Sequence, residues 1–355
     1  MDVAALAAKA RELIDAGAYD YYAGGADDEV TLADNEAAWQ RLRLRPKVLR
    51  DVGDVDPSTT VLGQRVAAPL LVAPTAYHRM AHDDGECATA RGAAAAGTLM
   101  CVSTLATVAL EAVAQAAPGA PRWFQLYIRR DRDVTAELVG RAVEAAYSAI
   151  VLTVDVPVLG RRRRDERNGF TLPAGMQMAN LGAAPPTVEG SGLAAYANAE
   201  FDPSLTFDDI GWLAGLSGLP VIVKGVMRGD DAVRCVESGA AAVVVSNHGA
   251  RQLDTTIPTA EALADVTQSV GDAAEVYVDG GIRRGTDVVK ALALGARAVM
   301  VGRPILWGLA TGGADGVHAV LTELVEETTR ALMLCGAASP HDITPDLLRT
   351  RSAPQ

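Results

Sequence analysis

The stretch Ser246 to Asp254 reads SNHGARQLD and brings together His248, Gly249, Arg251 and Asp254. It follows AAVVVS, an apolar, β-branched run with the length of a buried strand, so its side chains are expected at the mouth on which that strand opens. A histidine exchanges a proton near neutral pH, and a guanidinium grips a carboxylate through two parallel N–H···O contacts. A base beside an anion clamp suits chemistry at the carbon next to a carboxylate. An isolated pair of this kind is more often a satisfied core histidine and a surface cation, so the rest of the chain has to decide.

Other polar residues stand at the ends of apolar runs. Thr75 follows LLVAP, Ser103 follows LMCV, and Gln125 and Tyr127 end WFQLY. Thr153 and Asp155 lie in VLTVD, Lys224 follows PVIV, Ser246 precedes His248, and Asp279 follows VYV. DGGIRRG (279–285) and VGRP (301–304) place Gly281 and Gly302 where backbone amides can approach an anion, with Arg283 and Arg303 beside them, which indicates a phosphorylated ligand. Lys224 could act as a Schiff-base nucleophile or as a fixed positive charge beside a cofactor that becomes anionic. His78, His82, His318 and His341 form no H-E-x-x-H or other ligand spacing, so no catalytic metal is expected.

The elements that must position these residues follow from pattern. The chain has 355 residues, 49% hydrophobic and 21% charged, with a formal net charge of −12. That composition suits a soluble globular protein, and its acidity argues against a nucleic-acid partner. Cys87, Cys101, Cys235 and Cys335 are scattered and read as buried thiols of a cytosolic protein. The N-terminus lacks the pattern of a secretion signal and no apolar run reaches the ~20 residues of a membrane span, so a cytoplasmic protein is expected.

Helical spacing covers 2–17 and 29–41, with Tyr19, Tyr21 and Tyr22 between them, and 59–66 reads as a short hairpin. Eight strands are predicted at 70–74, 99–103, 122–126, 149–154, 220–224, 242–246, 275–279 and 298–301, each followed by a helix-like stretch. Asp133, Asp230 and Thr286 are the expected caps of three of those helices. Gly97, Gly239 and Gly295 stop helices just before strands, while Ala146 departs from that pattern. Eight such units predict an α/β fold of the (β/α)₈ barrel type as a single domain. It divides into N-terminal helices and hairpin (1–68), barrel (69–311), a long lid loop after the fourth strand (160–205) and C-terminal helices (312–355). No G-x-G-x-x-G follows the first strand and no P-loop occurs, which weighs against nicotinamide and nucleoside-triphosphate domains.

Read together, YDYYAGGADD (19–28), APTA (73–76), WFQLY (123–127), LTVDVPVLGRR (152–162), VKGV (223–226), SNHGARQLD, VDGGIRRGTDV (278–288) and GRP resemble the FMN-dependent α-hydroxy acid oxidases and dehydrogenases over nearly the whole chain. The resemblance implies FMN as cofactor and a small 2-hydroxy acid as substrate. It implies that His248 takes a proton from the substrate with Asp155 holding its ring, and that Arg251, with Arg162, binds the carboxylate. Tyr21 and Tyr127 would hydrogen-bond the substrate, and Lys224 would sit beside the flavin, against the Schiff-base reading. Thr75, Ala76, Ser103, Gln125, Thr153 and Ser246 would lie against the flavin. Asp279, Gly281, Arg283, Gly302 and Arg303 would hold the ribityl phosphate.

Leu105 stands where glycolate-oxidising members carry a tryptophan, which implies room for a larger side group lined by Tyr77, Met100, Phe170 and Met176. The lid RRRRDERNGFTLP resembles that of bacterial hydroxymandelate oxidases. The expected reaction is therefore oxidation of an aryl (S)-2-hydroxy acid, mandelate or 4-hydroxymandelate, to the 2-oxo acid. Dioxygen would be the acceptor, giving hydrogen peroxide, in a soluble homotetramer without a membrane anchor. The alternatives are a lactate or glycolate oxidase, a dehydrogenase with another acceptor, a barrel that merely retains FMN, and, remotely, a Schiff-base aldolase.

Overall fold

Period-two alternation of apolar residues builds the centre of this protein. In a computed structural model describing residues 2–183 and 192–350, eight parallel strands close into a barrel. They are β1 (Leu70–Val72), β2 (Met100–Ser103), β3 (Arg122–Leu126), β4 (Ile150–Thr153), β5 (Val221–Val226), β6 (Ala242–Val245), β7 (Glu275–Val278) and β8 (Ala298–Val301). Each pairs with the next, and β8 closes on β1 through Val299–Leu70 and Val301–Val72. Leu71, Cys101, Trp123, Val151, Ile222, Val244, Tyr277 and Met300 form one inner cluster, which Val61 and Val66 of the hairpin (Thr59–Val61 with Gln64–Val66) also join. The alternate residues, such as Val72, Val102, Phe124, Leu152, Val223 and Val278, join the larger cluster beneath the helices.

The helices are α1 (Val3–Leu13), α2 (Ala16–Ala23), α3 (Val30–Arg41), α4 (Gly85–Ala95), α5 (Leu110–Ala116), α6 (Arg132–Glu144) and α7 (Arg163–Asn168). After residues 184–191, which lie outside the described residues, come α8 (Gly192–Glu200), α9 (Asp208–Ser217), α10 (Gly229–Glu237), α11 (Thr259–Val270), α12 (Gly285–Ala293) and α13 (Arg303–Cys335), the last broken by non-helical backbone at Gly312 and Gly313. The eight-stranded barrel agrees with the sequence reading; several boundaries do not. The predicted helix over 2–17 ends at Leu13, and Asp15 caps a second helix through Gly17 N and Ala18 N, so the tyrosines lie on a helix rather than a loop. The expected caps Asp133 and Asp230 lie in the first turns and Thr286 just inside α12; the capping positions are Asp131, Arg228 and Arg284. A carboxylate inside the first turn still meets the positive end of the helix dipole. Ala146 takes the same left-handed conformation (φ 56) as Gly97, Gly239 and Gly295, so the fourth unit keeps the turn without the glycine.

The lid segment is only partly irregular, because α7 and α8 lie within it. Arg163 pairs with Asp28, and Arg164 with Glu29 and Asp20, fastening α7 to the α2–α3 turn. The chain's end returns to its beginning where Leu348–Thr350 pairs antiparallel with Leu42–Leu44. Among the described residues no helix is long and apolar enough to cross a membrane.

Candidate active site

Strand parity places the polar residues. Ser103, Gln125, Thr153, Lys224, Ser246 and Asp279 each lie two positions beyond an inner-cluster residue, Cys101, Trp123, Val151, Ile222, Val244 and Tyr277, and so share its inward face at the C-terminal end of the barrel. Register aligns Ser103 with Gln125 and Thr153 with Lys224. The side chains are linked in two runs: Ser103 Oγ donates to Gln125 Oε1 (3.2 Å) and Gln125 Nε2 to Thr153 Oγ1 (3.0 Å), while Lys224 Nζ donates to Ser246 Oγ (2.8 Å). Lys224 also pairs with Asp279 at 3.0 Å. Burial pulls the Lys224 ammonium down, but Asp279 and Asp155 outweigh it and hold it above its ordinary value. A lysine held as a cation between Asp279 and Ser246 fits a fixed positive charge rather than a Schiff-base amine.

The loop after β6 carries His248 in an unusual backbone. His248 (φ 58), Gly249 (φ 63) and Ala250 (φ 62) are consecutive left-handed residues, a conformation costing an L residue roughly 1–2 kcal/mol each. His248 Nδ1 lies 2.9 Å from Asp155 Oδ1. Burial pushes the imidazole below its ordinary value, with Lys224 and Arg162 adding to that and Asp155 opposing it, so the ring is neutral at pH 7. Burial raises the Asp155 carboxyl, yet His248 and Lys224 bring it below the usual range, so it stays ionised. With Nδ1 engaged by Asp155, Nε2 is the atom available to take a proton.

Arg162, Arg251 and Arg303 line the same cavity, and among the described residues none of them forms a salt bridge. Arg251 Nη1 donates to the carbonyls of Tyr21 and Gly24 at the end of α2. Arg303 donates to Tyr22 O (2.9 Å), Gly24 O (2.9 Å) and Gly249 O (3.0 Å). Nε and Nη1 of Arg162 are buried without a partner. Burial and Arg162 push Arg251 down to about 10; burial, Arg251 and Arg283 push Arg303 down to about 9. Crowded, buried cations of this kind call for anions. Arg283 is the exception, paired with Glu36 at 2.7 Å.

The cavity holds about 1100 Å³ of empty space, its open mouth included, which is large for a small acid alone. Its lining includes Tyr21, Thr75, Ala76, Ser103, Leu105, Gln125, Tyr127, Thr153, Arg162, Lys224, His248 and Arg251. At the β7 and β8 ends it includes Asp279, Gly281, Arg283, Gly302 and Arg303. Gly281 (φ 81) has no room for a side chain, because a Cβ there would fall 2.1 Å from Asn35 O. Asp279 Oδ1 is buried without a partner, an acceptor waiting for a hydroxyl.

Other sequence-predicted residues are not in the lining. Ser246 is fully buried beneath Lys224, where its Oγ also accepts from His248 N (3.1 Å), so it supports the site rather than facing it. Tyr77 is packed under Tyr21 with ring centroids 5.6 Å apart, and its carbonyl accepts from Tyr22 Oη. Met100 belongs to the core, and Phe170 stacks on Tyr21 (4.6 Å, 14°) without lining the cavity; Met176 packs outside it too. The apolar wall comes instead from Val156, Leu159, Leu193, Ala197 and Phe201. Phe201 stacks on Tyr127 at 4.5 Å and 15°. Sequence reasoning passed over it because it lies at the end of a helix hidden inside an apparently irregular segment. The bridge Arg129–Phe201 and the ion pair of Arg129 with Glu200 tie that helix to the end of β3.

Residues 10–350 match the FMN-dependent dehydrogenase family. The chain is 51% identical to the L-lactate oxidase of Nostoc sp., covering 93% of each chain, and 49% identical to human 2-hydroxyacid oxidase 1, covering 96% of this chain and 94% of the relative. A solved structure of mandelate oxidase with (S)-4-hydroxymandelic acid is similar with a TM-score of 0.93 and 42% identity, covering 99% of this chain and 98% of the other. The chain belongs to the FMN-dependent dehydrogenase family.

Proposed function

We propose that this chain is an oxidase of aryl (S)-2-hydroxy acids, mandelate or 4-hydroxymandelate, yielding the 2-oxo acid and passing the electrons to dioxygen as hydrogen peroxide. FMN-dependent 2-hydroxy acid oxidation is the activity common to the family and the oxidases it resembles. The observation that carries the reading here is His248, held by Asp155, in one cavity with the guanidiniums of Arg162 and Arg251, neither of which forms a salt bridge among the described residues.

FMN fits the residues present. The Ser103–Gln125–Thr153–Lys224 strip, with Thr75 and Ala76, offers polar groups along a flat ring edge. Gly281, Gly302, Arg283 and Arg303 supply amides and cations for its phosphate, with Asp279 nearby for a hydroxyl. Bound FMN supplies a two-electron acceptor. Arg251 and Arg162 hold the substrate carboxylate. Tyr127, whose phenol is held protonated by burial and by Asp155, donates a hydrogen bond, as does Tyr21. His248 Nε2 accepts a proton, and Asp155 stabilises the imidazolium that results. Lys224 keeps a fixed positive charge where negative charge accumulates.

The aryl assignment is supported by the wall of Leu105, Leu159, Leu193 and Phe201, which offers apolar and aromatic surface rather than polar partners. A second reading, a small aliphatic acid, is favoured by the 51% identity to an L-lactate oxidase. Mixing the holoenzyme anaerobically with (S)-mandelate, (S)-4-hydroxymandelate, L-lactate and glycolate separates the two. Flavin absorbance should be lost fastest with the aryl acids and return with air as hydrogen peroxide forms. Faster loss with lactate or glycolate refutes the aryl assignment, and no loss with any acid refutes the reaction.

A further inference from the structure

A left-handed backbone over three residues, two of them not glycine, persists only where its surroundings impose it. His248 N donates to Ser246 Oγ (3.1 Å), and the Ala250 carbonyl accepts from Ala26 N (2.8 Å). The closure is made by Asn247: Ala250 N donates both to its carbonyl (2.9 Å) and to its Oδ1 (3.0 Å). Asn247 is itself fixed from α3. Asn35 Nδ2 donates to Asn247 Oδ1 and Asn247 Nδ2 donates to Asn35 Oδ1, both at 2.9 Å, in a reciprocal amide pair with both side chains buried. Asn35 Oδ1 also accepts from Thr259 N at the start of α11 (3.3 Å), and the Asn35 carbonyl is the group that leaves Gly281 no room for a Cβ.

The geometry points to Asn35 as a positioning residue for the reaction: its amide, paired with Asn247, holds the left-handed turn that aims His248 and couples that turn to the glycines at the other end of the cavity. Removing the amide leaves the buried Asn247 Nδ2 without its acceptor and Asn247 Oδ1 with Ala250 N alone, and such a group regains water or another partner only if the loop moves. This inference rests on His248 being the base.

The test uses the holoenzymes of Asn35→Ala and of Asn35→Asp, which keeps the volume and the acceptors but loses the donor to Asn247 Oδ1. Turnover per bound FMN should fall roughly 10- to 100-fold, the scale of a displaced catalytic group, with KM little changed. In Asn35→Ala, which adds no charge, the acid limb of kcat/KM against pH should move although the charged groups around His248, namely Asp155, Lys224 and Arg162, are untouched. A purely structural Asn35 would lower the melting temperature and FMN occupancy while leaving turnover per FMN and the acid limb as in the parent; that result overturns the inference. If Asn35→Ala does not fold, the isosteric Asn35→Asp decides by turnover per bound FMN, since its new carboxylate moves the acid limb by charge alone. His248→Ala is measured alongside. Parental turnover in His248→Ala would remove the base reading and this inference with it, whereas an inactive His248→Ala beside fully active Asn35 variants would remove only the positioning role.

Discussion

Replacing Asp155 by Asn tests the central electrostatic claim. Nδ1 of His248 sits 2.9 Å from Asp155 Oδ1, with both side chains mostly buried, so the carboxylate acts on the imidazolium through little solvent. Two charges about 4 Å apart at an effective dielectric of about 20 attract by about 4 kcal/mol. At about 1.4 kcal/mol per factor of ten, losing that attraction as the proton arrives slows the step about a thousandfold. The pH profile carries a sign as well. Burial, with Lys224 and Arg162, already pushes the ring's proton affinity down, and Asp155 is what opposes them. In Asp155→Asn the acid limb of kcat/KM should therefore move to lower pH while the plateau falls. The assay is anaerobic loss of flavin absorbance over a pH series, with FMN content measured on each sample. A fall of less than about tenfold, or an acid limb that moves up, would refute the assignment of Asp155 as the partner that stabilises the charged ring.

Three further outcomes follow from the same geometry. Gly281→Ala forces a Cβ to within 2.1 Å of Asn35 O at φ 81, so it should lose FMN and more than the roughly 1–2 kcal/mol of a left-handed L residue, whereas at Gly302 the nearest atom would be Thr75 Cγ2 at 3.3 Å and Gly302→Ala should retain FMN; equal occupancy in purified protein would contradict this. His78 and His248 are both held below the ordinary value by burial, so the unfolded chain takes up protons that the folded chain refuses, and stability present above about pH 6.5 is lost as pH falls below it; His78→Gln should flatten that acid-side decline in melting temperature, and an unchanged slope would count against it. Leu105→Trp narrows the apolar wall and should reduce turnover of mandelate more than of glycolate, an argument that equal losses would remove.

The barrel was legible because a strand's period of two repeats in every unit, and the same parity carries Ser103, Gln125, Thr153, Lys224 and Asp279 to the inward rim. His248 and Arg251 were legible as chemistry-bearing residues at a strand end. What pattern could not convey was depth. Ser246 obeys the same parity yet stops beneath Lys224, and Tyr77 is driven under Tyr21 by its left-handed backbone (φ 62), a conformation that no local residue preference announces. The α2 helix was missed because its eight residues include a glycine and three tyrosines, poor helix formers, and its start is fixed by a single capping carboxylate, Asp15. Phe201 was missed for a related reason: its place at Tyr127 is set by the long-range Arg129–Glu200 tie, not by local spacing.

The N-terminal helices do more than cover the barrel. Arg251 and Arg303, drawn from two different strand ends, both donate to carbonyls of the α2 terminus, and Asp254 accepts from Asp28 N, Val30 N and Thr31 N at the start of α3. Each guanidinium is thus oriented by neutral carbonyls, which fix its plane without cancelling its charge. A carboxylate in the same place would orient it equally well but would compete with the anion it has to bind. That choice of partner explains how two buried cations stay both rigid and available, and it makes the first forty residues part of the site rather than an appendage to it.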